Sequence, residues 1–196
     1  SAETITKYSI GDVNFLKTFD IKAVVIACGT VSSVLGEKMN EGRNVPCMGV
    51  LESTVKAAVS ATKNKNIGLI ATAATVASGS YEKLTAELLP DANFTGKACP
   101  LFVPLVENGY FAPNCEVTRL VAKDYLSAFD GKDIDTLILG CTHYPLLYNL
   151  IDSIKGTAAD KQNVCCIYRN KLLLRMLSST LRRNICNRSF KNFKKG

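Results

Sequence analysis

The stretch Asp135-Thr136-Leu137-Ile138-Leu139-Gly140-Cys141-Thr142-His143 places an apolar run directly before a small residue, a cysteine and a hydroxyl. A second stretch, Val24-Val25-Ile26-Ala27-Cys28-Gly29-Thr30, has a similar pattern. Short continuous apolar runs are typical of strands that are buried on both faces of a parallel sheet. Ligands of open α/β sheets bind beyond the carboxyl ends of such strands, where both cysteines fall.

Predicted strands and helices alternate along the rest of the chain. Apolar runs favour strands at 21–28, 46–51, 66–71 and 135–140. Residue spacing and composition favour helices at 3–19, 32–39, 52–62, 78–89 and 114–129. The segment 99–104 is apolar but is broken by prolines. This alternation predicts an α/β architecture with mostly parallel sheets.

The composition is that of a chain that can form its own core. Of 196 residues, 47% are hydrophobic and 21% are charged, which suits one globular domain or two small ones. No apolar run reaches the roughly 18 residues of a membrane span, and the first residues lack the layout of a signal peptide. We therefore expect a soluble, cytoplasmic protein without a membrane partner.

Eight cysteines occur without regular spacing, and we interpret them as free thiols. The chain has one histidine, His143, and no Cys-x-x-Cys, so it lacks an ordinary set of zinc ligands. We expect no structural metal.

The net charge of +7 is unevenly distributed along the chain. Ten of the 24 Lys and Arg residues follow Gly156, with one acidic residue, which leaves 14 basic and 16 acidic residues in 1–155. The excess charge therefore says nothing about the body of the chain. We therefore expect nucleic acid to bind, if at all, only non-specifically and only to this basic tail.

Two thiols on opposite sides of a cleft can invert a carbon stereocentre. A thiolate removes the α-proton of an amino acid while a thiol on the other side supplies one, so Cys28 and Cys141 are candidate acid/base residues. Charge develops on the substrate carboxylate in this step, and hydroxyls placed in advance stabilise it. Hydroxyls lie at or near predicted strand ends at Thr30, Ser32, Ser33, Thr72, Thr75 and Thr142.

The thiolate needs a neighbour, because an unperturbed cysteine is mostly protonated at neutral pH. His143, two residues beyond Cys141, is the candidate. Ordinary structural interpretations remain open for all these residues. A buried cysteine is usually a small hydrophobe, which is our interpretation of Cys47, Cys99 and Cys115. A lone histidine can be a packed or helix N-terminal residue, and threonine is common in strands and caps.

The block Gly140-Cys141-Thr142-His143-Tyr144-Pro145-Leu146-Leu147 resembles the second cysteine signature of the glutamate racemases. Val25-Ile26-Ala27-Cys28, followed by Thr30, resembles the first signature. The blocks 71–81 and 98–107 are similar to two further family segments, and the resemblance covers roughly residues 1–155. Aspartate and hydantoin racemases also use paired strand-end cysteines, but the eight-residue block favours the glutamate enzymes.

The resemblance implies two Rossmann-like (flavodoxin-like) α/β domains with mostly parallel sheets and the substrate glutamate between them. The implied reaction interconverts L- and D-glutamate for peptidoglycan synthesis without pyridoxal phosphate, any other cofactor or a metal. Cys28 and Cys141 would be the two acid/base residues, and His143 would assist Cys141. The implied substrate-binding positions are Gly29, Thr30, Thr72, Thr75 and Thr142. Since family members are often dimers, we also expect a homodimer.

Three departures from the family pattern predict weak or absent activity. Gly29 stands where the family has Asn, and the loss of one such hydrogen-bond donor costs about 3 to 4 kcal/mol of transition-state stabilisation. The family's Asp-Ser-Gly and Pro-Tyr-Gly motifs do not occur, so we expect an N-terminally truncated, incomplete first domain. Beyond about Gly156 we find no resemblance to the family, which suggests an altered reading frame or a chimeric gene end.

These observations predict three segments. Residues 1–47 with about 145–156 would form what remains of the first domain, 48–144 the second domain, and 157–196 a basic, divergent tail. Another function class stays open: a catalytically inactive racemase remnant, or a binding module whose tail contacts nucleic acid or anionic membrane. The leucine-rich stretch 172–181 in this tail is equally consistent with an ordinary helix.

Overall fold

The computed structural model describes residues 1–41, 45–155 and 165–167. They form a mixed α/β structure with two short parallel sheets, as predicted. The strands are β1 Val24–Ile26, β2 Cys47–Gly49, β3 Asn66–Ala71, β4 Asn93–Ala98, β5 Thr136–Leu139 and β6 Cys165–Ile167. The α-helices are α1 Ala2–Leu16, α2 Gly29–Leu35, α3 Leu51–Ala61, α4 Ala73–Ala77, α5 Ser80–Leu88, α6 Phe102–Glu107, α7 Glu116–Leu126 and α8 Tyr148–Lys155. Turns of 3₁₀ helix lie at Gly36–Asn40, Ser127–Phe129 and Tyr144–Leu147.

The smaller sheet pairs β1 with β2 in parallel, with Val24 opposite Cys47. Helix α2 and the 3₁₀ turn after it form the crossover between these strands. One buried cluster joins α1 to this sheet, and it contains Val13, Val24, Ile26 and Cys47. The other side of β1 is more open, since Val25 in the middle of the strand is 37% exposed.

The larger sheet has the strand order β4-β3-β5-β6, and each neighbouring pair is parallel. The chain moves outward from β3 to β4 and then returns to the other side of β3 to form β5. This reversal leaves a crevice between the carboxyl ends of β3 and β5, which is where open α/β sheets bind ligands. Thr72 directly follows β3, and Cys141 follows β5 after one glycine.

Two buried clusters contain alternate residues of the central strands. Leu137 and Leu139 of β5 belong to a cluster with residues of α6, α7 and α8, whereas Ile138 belongs to one with residues of α3 and α5. All four residues of β5 are therefore buried. Burial on both faces explains why this strand has a continuous apolar run in the sequence.

The elements differ from their predicted bounds in ways that pairing and exposure explain. The predicted strand 21–28 narrows to β1, because β2 pairs with only three of its residues. The sequence does not predict α4 or β4. Strand β4 lies at the sheet edge and has no fully buried residue, so it lacks an apolar run. Helix α6 begins inside the segment 99–104, because proline is tolerated in the first turn of a helix.

The predicted segments stay a prediction, but three contacts disagree with their boundaries. Strand β2 pairs with β1 and extends past residue 47. Leu147 and Leu150, assigned to the first domain, pack in the core of the larger sheet because their apolar side chains complete the cluster around α6 and α7. Within the predicted divergent tail, Cys165–Ile167 pairs with β5 and extends the larger sheet. The remainder of that tail, including 172–181, lies outside the described residues.

Candidate active site

Cys28 lies at the carboxyl end of β1, where helix α2 begins. It is the N-cap residue of α2, and Gly29 is the first residue of the helix and is buried. The thiol of Cys28 is exposed, and its side chain makes no capping hydrogen bond to the helix. The first of the two predicted acid/base residues is therefore open to solvent at the end of a two-stranded sheet.

Cys141 occupies a more enclosed position beyond β5. The residue is 8% exposed, and its Sγ lies 3.7 Å from Nδ1 of His143. The other ring nitrogen of His143, Nε2, lies 3.1 Å from Oε1 of Glu107. These two contacts connect a thiol, an imidazole and a carboxylate in series.

The order of these groups determines what each can do. An ionised carboxylate accepts hydrogen bonds only, so an imidazole hydrogen on Nε2 can donate to Glu107, and Nδ1 can then accept from the thiol of Cys141. A carboxylate in this position can also stabilise a positively charged imidazole. The side chains of His143 and Glu107 are 31% and 60% exposed, so this relay connects a buried thiol to solvent.

Sequence reasoning missed Glu107. It is the last residue of α6 and lies 36 positions before His143, so no local spacing connects the two. The available signal was indirect, because Glu107 closes the block 98–107 that resembles a family segment.

Three of the predicted threonines form one hydrogen-bonded group. The hydroxyls of Thr30 and Thr72 are 2.9 Å apart, those of Thr72 and Thr75 are 2.9 Å apart, and those of Thr75 and Thr30 are 3.1 Å apart. Thr30 belongs to α2 after β1, whereas Thr72 and Thr75 follow β3, so the group connects the ends of the two sheets. A cluster of hydroxyls can donate several hydrogen bonds to one carboxylate.

The other hydroxyl candidates are arranged differently. The hydroxyl of Ser32 donates to the carbonyl of Ile26 at 3.1 Å and accepts from the amide of Val50 at 3.1 Å, so it connects β1 to the start of α3. Ser33 is buried, and among the described residues its hydroxyl has no hydrogen-bond partner. Thr142, next to Cys141, is exposed. Of these three residues, Ser32 has a structural role, because its hydroxyl joins β1 to the start of α3.

The remaining described cysteines match their structural interpretation in part. Cys47, Cys99 and Cys115 are free thiols, and the first two are buried. Burial raises the pKa of the Cys99 thiol to about 12, although Lys97 opposes this shift. Cys115 is only partly buried, and a hydrogen bond with the Thr118 side chain lowers the pKa of its thiol.

Gly140 permits the close approach of β3 and the loop that carries Cys141. A Cβ atom at this position would lie 2.8 Å from Cδ1 of Leu69, 2.9 Å from Cβ of Ala71 and 3.1 Å from the carbonyl oxygen of Ile70. The last two atoms belong to backbone or to a rigid methyl group, so the loop would have to move to accommodate a side chain.

Within the part of the chain that the structure describes, no three His, Cys, Asp or Glu side chains are grouped so that they could hold a metal ion. None of the described helices combines the length and the apolar character that a membrane crossing requires.

The fold and the site define a class: α/β proteins with a thiol at the end of each of two parallel sheets, here with one thiol connected to a histidine and a carboxylate. The chain belongs to the Asp/Glu/Hydantoin racemase family, whose sequence model matches residues 3–159.

Curated relatives of this chain are glutamate racemases. That of Persephonella marina is 46% identical over 170 residues, which are 81% of this chain and 64% of the relative. That of Aquifex pyrophilus is 47% identical over 156 residues, which are 80% of this chain and 59% of the relative. The chain thus spans about three fifths of the length of these relatives.

Solved structures of glutamate racemases have the same fold. The isoform RacE1 from Bacillus anthracis superposes with a TM-score of 0.85 at 34% identity, over 94% of this chain and 66% of that structure. The enzyme from Francisella tularensis in complex with D-glutamate superposes with a TM-score of 0.83 at 32% identity, also over 94% and 66%.

Proposed function

We propose that this chain interconverts L- and D-glutamate by proton transfer between two thiols, at a rate that the three departures from the family pattern reduce. The observation that carries the proposal is the series of contacts from Cys141 through His143 to Glu107, at the edge where the larger sheet reverses its strand order. The names of the relatives support the substrate, and the eight-residue block 140–147 supports glutamate over aspartate or hydantoin.

The proposed reaction has three proton transfers, one between Cys141 and His143 and two at the α-carbon, and the substrate gains and loses one hydrogen. Nδ1 of His143 takes the thiol proton of Cys141, and the thiolate then removes the α-hydrogen of glutamate, leaving the electron pair on the α-carbon and its carboxylate. The thiol of Cys28 delivers a proton to the opposite face, which inverts the centre and leaves Cys28 as the thiolate. Exchange with water then removes the proton from His143 and returns one to Cys28, which restores the starting state. General acid/base transfer of this kind contributes about 10²- to 10⁴-fold to a rate.

The three-threonine group supports the charge that develops in this reaction. Its hydroxyls hydrogen-bond to one another, and we propose that they turn to donate to the α-carboxylate of the substrate. Thr142 and the buried Gly29 are proposed to contact the substrate as well. The larger proposal includes a cytoplasmic homodimer that supplies D-glutamate for peptidoglycan synthesis.

The test is exchange of the glutamate α-hydrogen in deuterated water by proton NMR, together with optical rotation to follow inversion. The parent chain should exchange and invert glutamate much faster than aspartate. Glu107→Gln should lower kcat by about 10- to 100-fold, less than the loss of a whole acid/base group. Glu116→Gln, which alters an exposed carboxylate on α7, is the matched control and should change little. Absence of exchange in the parent chain contradicts the proposal.

A further inference from the structure

Tyr144 connects the loop after β5 to the segment after β4. The residue has no exposed surface, and its hydroxyl donates to the carbonyl oxygen of Cys99 at 2.8 Å. Its ring packs edge to face against Phe102, with the ring centroids 5.2 Å apart. Tyr144 directly follows His143, and Phe102 is the first residue of α6, so these contacts join the two segments that carry the relay.

A second aromatic residue holds the same segment from another side. Phe102 also packs edge to face against Tyr125 of α7, at 5.2 Å between centroids. The hydroxyl of Tyr125 accepts a hydrogen bond from the amide of Leu101 at 3.3 Å. Edge-to-face pairs of this kind add about 0.5 to 1.5 kcal/mol each beyond their buried area. The start of α6 is therefore fixed between two tyrosines.

Helix α6 transmits this position to Glu107. It has six residues and rises about 8 Å from Phe102 to Glu107, so the position of its first residue constrains that of its last. The distance from Nε2 of His143 to Oε1 of Glu107 therefore depends on how the loop of His143 is held against Phe102.

Tyr144 is not itself suited to proton transfer. Burial, with smaller contributions from the neighbouring Cys99 and Cys141, raises the pKa of its phenol above the usual range. The hydroxyl stays a neutral donor to the Cys99 carbonyl at working pH, so its effect is geometric.

We propose that Tyr144 is a positioning residue that sets the contact between His143 and Glu107 and thereby the state of the Cys141 thiol. This role deepens the proposed function and rests on it, but the geometry can be tested without turnover. A misplacement of about 1 Å in an active site can cost about a hundredfold in rate, so the loss of one anchoring hydrogen bond should be measurable.

The single histidine of this chain makes a direct test possible. The ring ¹⁵N shifts of His143 report which nitrogen carries the hydrogen, and they should show the Nε2–H form in the parent chain. Glu107→Gln should move these shifts toward a mixture of the two forms. Tyr144→Phe, which keeps the ring and removes the hydroxyl, should move them in the same direction. Tyr8→Phe, which removes the hydroxyl of an exposed tyrosine on α1, is the matched control and should leave them nearly unchanged.

A second variant tests the same contact independently, in case Tyr144→Phe folds poorly. Phe102→Leu keeps the Tyr144 hydroxyl but weakens the ring contact, and it should also shift the His143 signals. Parent-like His143 signals in both Tyr144→Phe and Phe102→Leu would overturn the inference, whether or not the parent chain turns over glutamate.

The kinetic arm separates this inference from the proposed function. Tyr144→Phe should lower kcat about tenfold with KM within about twofold, because the hydroxyl does not touch substrate. In a Glu107→Gln background the same change should have little further effect, since both act through one contact. An active parent with fully additive effects contradicts the role of Tyr144, whereas an inactive parent with shifted His143 signals contradicts the proposed racemase activity alone.

Discussion

The two strand-end thiols follow similar stretches of sequence but lie in different surroundings. Cys141 is buried and in contact with His143, at the end of a strand whose four residues are all buried. Cys28 is exposed, at the end of a three-residue strand whose middle residue is 37% exposed. The same local pattern therefore produces a buried thiol in contact with an imidazole in one sheet and an exposed thiol in the other.

Sheet context explains the difference. Strand β5 lies between β3 and β6 and has buried clusters that contain residues of both its faces. Strand β1 pairs only with β2 among the described strands. Burial at Cys141 strengthens the electrostatic interactions of its relay, whereas water screens charges around Cys28. A strand-end cysteine in the sequence thus predicts a position in the sheet but not an environment.

The largest expected effect comes from removing either thiol. Cys28→Ala and Cys141→Ala should each lower inversion of glutamate by about a thousandfold or more, because inversion needs an acid and a base on opposite faces. Exchange of the α-hydrogen should distinguish them. Cys141→Ala should lose exchange on its own face, whereas Cys28→Ala should retain part of it, since the relay stays intact. Proton NMR in deuterated water measures both rates.

Cys115→Ala is the control for this pair, because it removes a described thiol that lies at the start of α7, away from both strand ends. It should invert glutamate at the parent rate. Inversion that survives in Cys28→Ala would contradict a two-thiol reaction.

Alkylation should rank the thiols by exposure. With iodoacetamide near pH 7.5, Cys28 should react at least about tenfold faster than Cys141, since the exposed sulfur of Cys28 is more accessible to the reagent. Cys99 should react slowest, because burial raises its pKa to about 12 from an ordinary value of 9.0. Mass spectrometry of tryptic peptides reads each cysteine separately. Equal rates at Cys28 and Cys141 would remove the contrast between the two ends.

The sequence predicts features that depend on neighbouring residues. The α/β class is confirmed, and the runs 66–71 and 135–140 appear as β3 and β5 because strands buried on both faces are continuously apolar. The contact between Cys141 and His143 is also accessible from sequence, since they lie two positions apart. The sequence places Thr30 and Thr72 at or near strand ends, whereas the 2.9 Å contact between their hydroxyls is seen only in the structure.

The remaining features depend on contacts between distant segments. Glu107 meets His143 across 36 positions, and the hydroxyl of Tyr144 meets the carbonyl of Cys99 across 45. Strand β4 has no apolar run because it lies at an edge. Pairing with β5, rather than local composition, makes Cys165–Ile167 a strand. Tertiary contacts decide each of these features, and a sequence pattern cannot show them.

A smaller effect is expected from filling the space beside the enclosed thiol. Gly140→Ala should destabilise the chain by about 1 to 3 kcal/mol, because the new Cβ would overlap Ala71 and the Ile70 carbonyl. Gly11→Ala is the matched control on exposed α1, with no atom within 4 Å of the new Cβ, and should stabilise by about 0.5 to 1 kcal/mol. Urea denaturation measures both changes. A neutral Gly140→Ala would show that the loop of Cys141 is less tightly held than the contacts indicate.

The smallest effect concerns the opposite end of β5, where Asp135 anchors the turn before β3. Its carboxylate accepts hydrogen bonds from the Thr62 hydroxyl at 2.7 Å and from the amides of Lys63 and Asn64 at 2.6 and 2.9 Å. Desolvation raises the pKa of Asp135, but these hydrogen bonds outweigh it and hold the pKa below its ordinary value of 3.8. Asp135→Asn should therefore cost about 1 kcal/mol at pH 7.

The pH dependence of that cost gives the sharper test. Because the folded-state pKa of Asp135 is depressed, its contribution is complete above the unfolded value near 3.8 and is lost as pH falls through the lower folded value. The free energies of unfolding of parent and Asp135→Asn should thus differ by a constant amount from pH 5 to 7 and converge below about pH 4. Urea denaturation at several pH values measures this difference. A difference that persists unchanged at pH 3 would show that the amide, not the missing charge, perturbs the turn.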